Sequence, residues 1–153
     1  MEAKLPENSE NQVDVLLVED NPYDAELVLR AFAKQQPGTR VAWFRDGVAA
    51  LDFIFGQTTD TAKPLVNEPR LVMLDLKLPF VNGREVLKTL KQDMRTACIP
   101  IVVLTSSDEE TDVVQSFLAE ANSYIVKPVD YYEFIRAIQQ IGFYWLQLNQ
   151  PPG

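Results

Sequence analysis

Five short hydrophobic runs recur along the chain, with almost none of the polar–apolar alternation that marks a strand with one solvated face. Continuous apolar runs of this kind are typical of strands in a parallel sheet that helices cover on both faces. The last run is shorter than the first. The predicted strands are Val13–Asp20, which ends in acids, Val41–Arg45, Leu71–Leu74, Ile99–Leu104 and Ser123–Val126.

Amphipathic helical patterns lie between and after these runs. Asn21 is a predicted N-cap with Pro22 at the first helical position, and Pro37-Gly38 ends that helix. Alternating strands and helices indicate an α/β fold with a mainly parallel sheet and helices on both faces. The remaining predicted helices run over about 47–55, from about 83, from near 108, and from 130 to about 148.

The chain is long enough for one domain and has no internal repeat or linker. We expect a flexible leader over residues 1–12, one domain over 13–148 and a short tail over 149–153. The polar stretch Gln57–Pro69 is an expected insertion loop.

Composition excludes several classes of protein. The formal net charge of −8 disfavours direct nucleic-acid binding, and the absence of histidine removes histidine-dependent nucleophiles and bases. Cys98 is the single cysteine, which fits a reducing, cytoplasmic location, and we expect it to be buried beside a strand. No apolar run is long enough to span a membrane.

Chemically active side chains follow four of the five predicted strands. The carboxyl ends of parallel strands meet at one edge of the sheet, where open α/β sheets bind ligands. Any one acid after a strand is more often a helix cap than a ligand. The three carboxylates as a group are harder to explain in this way. Two carboxylates ~5 Å apart repel by roughly 3 kcal/mol at an effective dielectric of ~20, so a group of three needs a cation such as Mg²⁺. The residues are Glu19, Asp20, Asp75, Thr105, Ser106 and Lys127.

This inventory indicates phosphoryl chemistry. With no histidine or cysteine nucleophile available, an oxygen must accept the phosphoryl group, and Asp75 emerges from the central hydrophobic strand LVMLD. Mg²⁺, Lys127 and the Thr105 hydroxyl would offset charge on the transferred group.

Four motifs in order make the chain resemble a response-regulator receiver domain over Val13 to Ile141. They are VLLVEDN, LVMLDLKLP, VVLTSS and YIVKP. Thr105 follows Asp75 by 30 residues, and Lys127 follows Thr105 by 22. The resemblance implies a flavodoxin-like (βα)₅ fold with strand order 2-1-3-4-5.

The resemblance also implies residue roles. Asp75 would be phosphorylated by a phosphohistidine on a sensor histidine kinase, so the domain would be a phosphoacceptor switch and not an enzyme in its own right. Asp20 would be the main Mg²⁺ ligand, supported by Glu19 through water and by the backbone carbonyl of Lys77. Lys127 and Thr105 would hold the phosphoryl group, and Thr105 and Tyr124 would form the switch.

Three parts of the chain resemble the stand-alone regulators of cyanobacterial phytochrome histidine kinases. They are the long loop Gln57–Pro69, the segment GREVLKTLKQD and the C-terminal segment FYWLQLNQPPG. Such a regulator would signal through protein contacts. The C-terminal helix is apolar beyond one face, with Phe143, Tyr144, Leu146 and Leu148 outside its main stripe. We therefore predict a homodimer through the fourth helix, fifth strand and fifth helix. The alternative is that the tail folds back on its own domain.

Three other functions fit the sequence less well. A haloacid-dehalogenase-type phosphatase needs a DxD pair after its first strand, whereas the acids here are adjacent. A flavodoxin-like carrier needs a phosphate loop where this chain has EDNPYD. A pseudo-receiver, acting as an interaction module without phosphorylation, is disfavoured because the residues that phosphorylation needs are all present. They are Glu19, Asp20, Asp75, Thr105 and Lys127.

Overall fold

A computed structural model describes residues 13–56, 63–105, 121, 123–126 and 130–148. Five parallel strands form one sheet in the order β2-β1-β3-β4-β5, as predicted. The predicted fourth helix, from near residue 108, lies outside the described residues, as do the leader and the tail. The strands are β1 Val15–Val18, β2 Val41–Phe44, β3 Leu71–Asp75, β4 Ile101–Thr105 and β5 Ser123–Val126.

Each described helix begins after an acidic or amide residue whose side chain accepts hydrogen bonds from the first turn. Asn21 accepts from Tyr23 and Asp24, and Pro22 occupies the first helical position as predicted. The helices are α1 Pro22–Gln35 after Asn21, α2 Gly47–Phe55 after Asp46, α3 Gly83–Gln92 after Asn82, and α4 Tyr131–Phe143 after Asp130.

Two apolar layers cover the sheet, because alternate residues of each buried strand face opposite sides. Leu16 and Val18 of β1 pack with α2 and α3 on one side. Val15 and Leu17 pack with α1 and α4 on the other. This two-sided burial explains why the strands read as continuous hydrophobic runs.

Element boundaries differ little from prediction. β4 begins at Ile101 and not at Ile99, because Ile99 donates its N–H to Thr96 in a turn and Pro100 follows. Asp75 is the last residue of β3, where we expected it just beyond the strand. The expectation for Cys98 was wrong: the turn that delays β4 leaves it exposed. None of the described helices is long and apolar enough to cross a membrane.

The C-terminal end of the described chain departs from a regular helix. After α4 the backbone widens into a π-helical turn over Tyr144–Leu148. Leu146, expected outside the buried stripe, is only 6% exposed and packs into the α1–α4 core layer, while Phe143 and Tyr144 are exposed. Arg70 donates to the Leu146 carbonyl at 2.7 Å. The described part of the segment FYWLQLNQPPG therefore folds back on its own domain at Leu146.

Candidate functional site

Three carboxylates meet at the carboxyl end of the sheet. One oxygen each from Glu19, Asp20 and Asp75 lies within 4.8 Å of the other two. Glu19 and Asp75 are buried, with 0% and 4% of their surface exposed, and Asp20 is partly exposed. The sequence-predicted gathering of these three acids is therefore present. We call them the acidic cluster.

Pairing of β1 with β3 brings the cluster together. Val18 lies opposite Leu74, so the residues that follow each strand emerge side by side. Glu19 extends the pairing with β2, since its N–H donates to the Phe44 carbonyl at 3.0 Å. Its carboxylate then accepts the Asn21 N–H at 3.1 Å, which orients it beside the start of α1.

Trp43 holds the backbone of Glu19 from the neighbouring strand. Its indole N–H donates to the Glu19 carbonyl at 2.8 Å, and the side chain is only 8% exposed. Sequence reasoning missed this support. The one available signal was a tryptophan within a predicted buried strand, because a buried indole N–H requires an acceptor.

Asp75 is held by local backbone bonds. The Lys77 N–H donates to Asp75 Oδ1 at 3.1 Å, while the N–H of Leu76 donates to the Leu104 carbonyl of β4 at 3.2 Å. Gly83 sits so close that a Cβ there would lie 2.7 Å from the Leu76 Cα. A residue with a side chain at Gly83 would therefore push α3 away from the end of β3. The sequence reasoning did not identify this role.

The electrostatics of the cluster favour a divalent cation. Two unit charges 4.8 Å apart repel by roughly 3.5 kcal/mol at an effective dielectric of ~20, and the cluster contains three such pairs. Mg²⁺ binds oxygen ligands at about 2.0–2.1 Å, so oxygens coordinated to the same ion lie about 3–4 Å apart. Carboxylates within 4.8 Å of one another fit this arrangement, directly or with a bridging water. The donor set is therefore suited to a hard cation.

The other predicted site residues lie on the same edge or beyond the described part of the chain. Thr105 ends β4, one residue after Leu104, which lies opposite Asp75. Lys77 is exposed, and Tyr124 of β5 is 48% exposed. Lys127 and Ser106 lie outside the described residues. The roles of these residues stay predictions.

Comparison with known proteins identifies the family. The family model of the response regulator receiver domain matches residues 15–139. The chain is 40% identical over 145 residues to the probable methanogenesis regulatory protein FilR2 of Methanothrix harundinacea, covering 95% of this chain and 91% of FilR2. It is 36% identical over 139 residues to response regulator Rcp1 of Synechocystis sp., covering 91% and 92% respectively.

Solved structures of response regulators also match this chain. Phosphorylated RcpA, a cyanobacterial phytochrome response regulator, matches with a TM-score of 0.78 at 33% identity, over 93% of this chain and 99% of RcpA. The Mn²⁺-bound form of Rcp1 matches with a TM-score of 0.77 at 35% identity, over 92% and 99%. The chain belongs to the response-regulator receiver family. Within that family it is similar to the stand-alone regulators Rcp1 and RcpA.

Proposed function

We propose that the protein is a phosphorylation-controlled switch that accepts a phosphoryl group on Asp75 from a sensor histidine kinase. The observation that carries this proposal is the acidic cluster, where carboxylates from two separate strand ends lie within 4.8 Å. Glu19 and Asp75 are buried, where a cation interacts with carboxylates more strongly than in water. Receiver-family membership supplies the reaction that such a cluster would serve.

The transfer step is a displacement at phosphorus. A carboxylate oxygen of Asp75 forms a bond to phosphorus as the bond from phosphorus to the histidine nitrogen breaks. That nitrogen keeps the electron pair and the other ring nitrogen carries a proton, so the products are an acyl phosphate on this chain and a neutral histidine on the donor. The Lys77 N–H on Asp75 Oδ1 orients the carboxylate for this attack.

Mg²⁺ bound by Asp20 and Asp75, with Glu19 through water and the Lys77 carbonyl, would neutralise charge on the transferred group. The Thr105 hydroxyl and the Lys127 ammonium would hold the phosphoryl oxygens. Thr105 and Tyr124 would then shift together, favouring a second conformation of the partner-binding face.

The donor that we propose is a phytochrome histidine kinase. This rests on similarity to RcpA, a cyanobacterial phytochrome response regulator, and to Rcp1. We expect the output to be a protein contact, with a cytoplasmic location suggested by the single cysteine and no direct nucleic-acid binding at a net charge of −8.

We also propose a homodimer. Its interface would consist of the predicted helix that begins near residue 108, β5 and α4. The exposed aromatic residues at the two ends of α4 support it, since a partner surface would cover them. Burial of Leu146 in its own domain reduces the area available for such a contact. The exposed residues are Tyr131, Tyr132, Phe143 and Tyr144.

Phosphorylation with a small donor tests the proposal without a kinase. We expect acetyl phosphate to label the wild-type chain only when Mg²⁺ is present, and to leave the Asp75→Asn variant unlabelled. Asp14→Asn, a carboxylate replaced at the opposite end of the sheet, serves as the matched control and should be labelled normally. Normal labelling of Asp75→Asn would reject Asp75 as the acceptor. A wild-type chain that is never labelled would favour the pseudo-receiver alternative.

A further inference from the structure

Phe80 combines two unfavourable features in one residue. Its φ of 66° lies in the left-handed region, which residues with a Cβ adopt rarely and bulky ones least of all. Its side chain is 88% exposed, while Leu78 and Val81 on either side pack against the core. Neither feature is explained by packing within the described part of the domain. Strained, exposed residues of this kind are a reason to look for a function.

The loop that carries Phe80 borders the acidic cluster. The Gly83 N–H donates to the Leu76 carbonyl at 3.1 Å, which closes the loop at the end of β3. Phe80 is three residues from Gly83, so their Cα atoms are no more than about 11 Å apart. Gly83 in turn abuts the backbone at Asp75 and Leu76. Phe80 therefore lies in the loop that joins the end of β3, where Asp75 lies, to the start of α3.

A protein that phosphorylates Asp75 must contact the loop between β3 and α3. Asp75 is only 4% exposed, so a donor side chain has to reach into the carboxyl end of the sheet. The donor surface around that side chain then contacts the loops that follow the strands. The acidic cluster and the net charge of −8 repel a phosphorylated donor. Apolar contact adds affinity without adding negative charge, and a large aromatic side chain is an effective anchor.

We propose that Phe80 is a docking contact for the phosphohistidine-bearing protein, presented by its left-handed backbone and buried when the donor binds. This inference rests on the proposed function of Asp75. A second copy of this chain or a downstream partner is a less suitable occupant, because neither has to approach the acceptor carboxylate. Phe80 would thus affect transfer from a protein donor and have no part in the chemistry itself.

The test compares Phe80→Asn with Met94→Asn. Asparagine tolerates the left-handed region, so Phe80→Asn should unfold at or above the wild-type temperature. Met94 is a matched control, since it is 93% exposed and lies after α3. Each variant is phosphorylated with acetyl phosphate and with autophosphorylated histidine kinases, beginning with a cyanobacterial phytochrome kinase. Phe80→Gly provides a second variant if Phe80→Asn is poorly folded.

We expect acetyl phosphate labelling of Phe80→Asn to equal that of wild type, while kcat/KM for transfer from the kinase falls about tenfold or more. Met94→Asn should be normal in both assays. Unchanged transfer from the kinase overturns the docking role, and so does an equal loss with both donors, which would place Phe80 in the acceptor site. A wild-type chain labelled by acetyl phosphate but by no kinase overturns it too, while Asp75 chemistry stands. No labelling by either donor refutes the proposed function instead.

Discussion

At the amino-terminal end of the sheet acidic side chains lie beside arginines, whereas at the carboxyl-terminal end they lie beside one another. Asp14 is 3.8 Å from the Arg70 guanidinium and accepts the Arg40 N–H, which ties the starts of three strands together. Asp93 and Arg95 form a close ion pair in the turn before β4. Both acids are therefore paired with an arginine.

The carboxyl-terminal end has the same residue type in a different arrangement. Its three carboxylates share a space 4.8 Å across, and two of them are buried. Backbone N–H groups from Asn21 and Lys77 orient the carboxylates of Glu19 and Asp75. Position at a strand end therefore does not by itself make an acid functional. The gathering of like charges distinguishes the candidate site.

A side chain at Gly83 should disturb the carboxyl-terminal end of the sheet and leave the amino-terminal end intact. This is the largest effect that we expect. A Cβ at Gly83 meets the backbone of Leu76, so Gly83→Ala should lower the free energy of unfolding by about 3 kcal/mol. It should also weaken Mg²⁺ binding by displacing the end of β3. Urea denaturation with and without Mg²⁺ measures both effects.

Gly38 provides the control at the other end. It has a φ of +93°, but a Cβ added there would meet nothing within 4 Å. Gly38→Ala should therefore cost about 1–2 kcal/mol of backbone strain and leave Mg²⁺ binding intact. Equal losses of Mg²⁺ affinity in the two variants would show that Gly83 does not support the site specifically.

Replacing aspartate by asparagine should change the free energy of unfolding in opposite directions at the two ends of the sheet. Without Mg²⁺, Asp75→Asn removes like-charge repulsion and should raise the free energy of unfolding by about 2 kcal/mol. Asp14→Asn removes attraction to Arg70 and should lower that free energy by less than about 1 kcal/mol. Denaturant titration in the presence of a chelator measures both. A destabilised Asp75→Asn would mean that the cluster is not repulsive.

The smallest effect concerns the Asp93–Arg95 pair. Hydrogen bonds from the Arg95 side chain lower the pKa of Asp93 below its ordinary value of 3.8. A lowered pKa means that ionised Asp93 stabilises the fold above pH 3.8, and that this contribution is lost as the pH falls through the lowered value. Asp93→Asn should therefore reduce the unfolding temperature at pH 7 and lose its effect in acid. The exposed Asp52→Asn is the control, and a pH-independent loss would contradict the assignment.

Much of the fold followed from local pattern. Continuous apolar runs indicated strands buried on both faces, and the rule for parallel sheets placed Glu19, Asp20 and Asp75 at one edge. The structure confirms the strand order and the gathering of the acids. These features were predictable because they depend on where runs end and not on side-chain packing.

Features that depend on distant packing were not predictable. The Trp43 bond to Glu19 requires the register of β1 with β2, and the approach of Gly83 requires the docking of α3. Leu146 packs into the α1–α4 core layer, and its carbonyl accepts a hydrogen bond from Arg70, which lies 76 residues earlier in the chain. No local pattern encodes such pairs.

The central claim is that the acidic cluster binds a divalent cation, and Trp43 offers a direct measurement. Its indole N–H donates to the Glu19 carbonyl, so its fluorescence should respond to ion binding. In a Trp145→Phe background, where Trp43 is the one tryptophan left, we expect a saturable change on Mg²⁺ titration. Asp75→Asn in that background should abolish the change and Asp14→Asn should preserve it. An identical titration in Asp75→Asn would contradict the account.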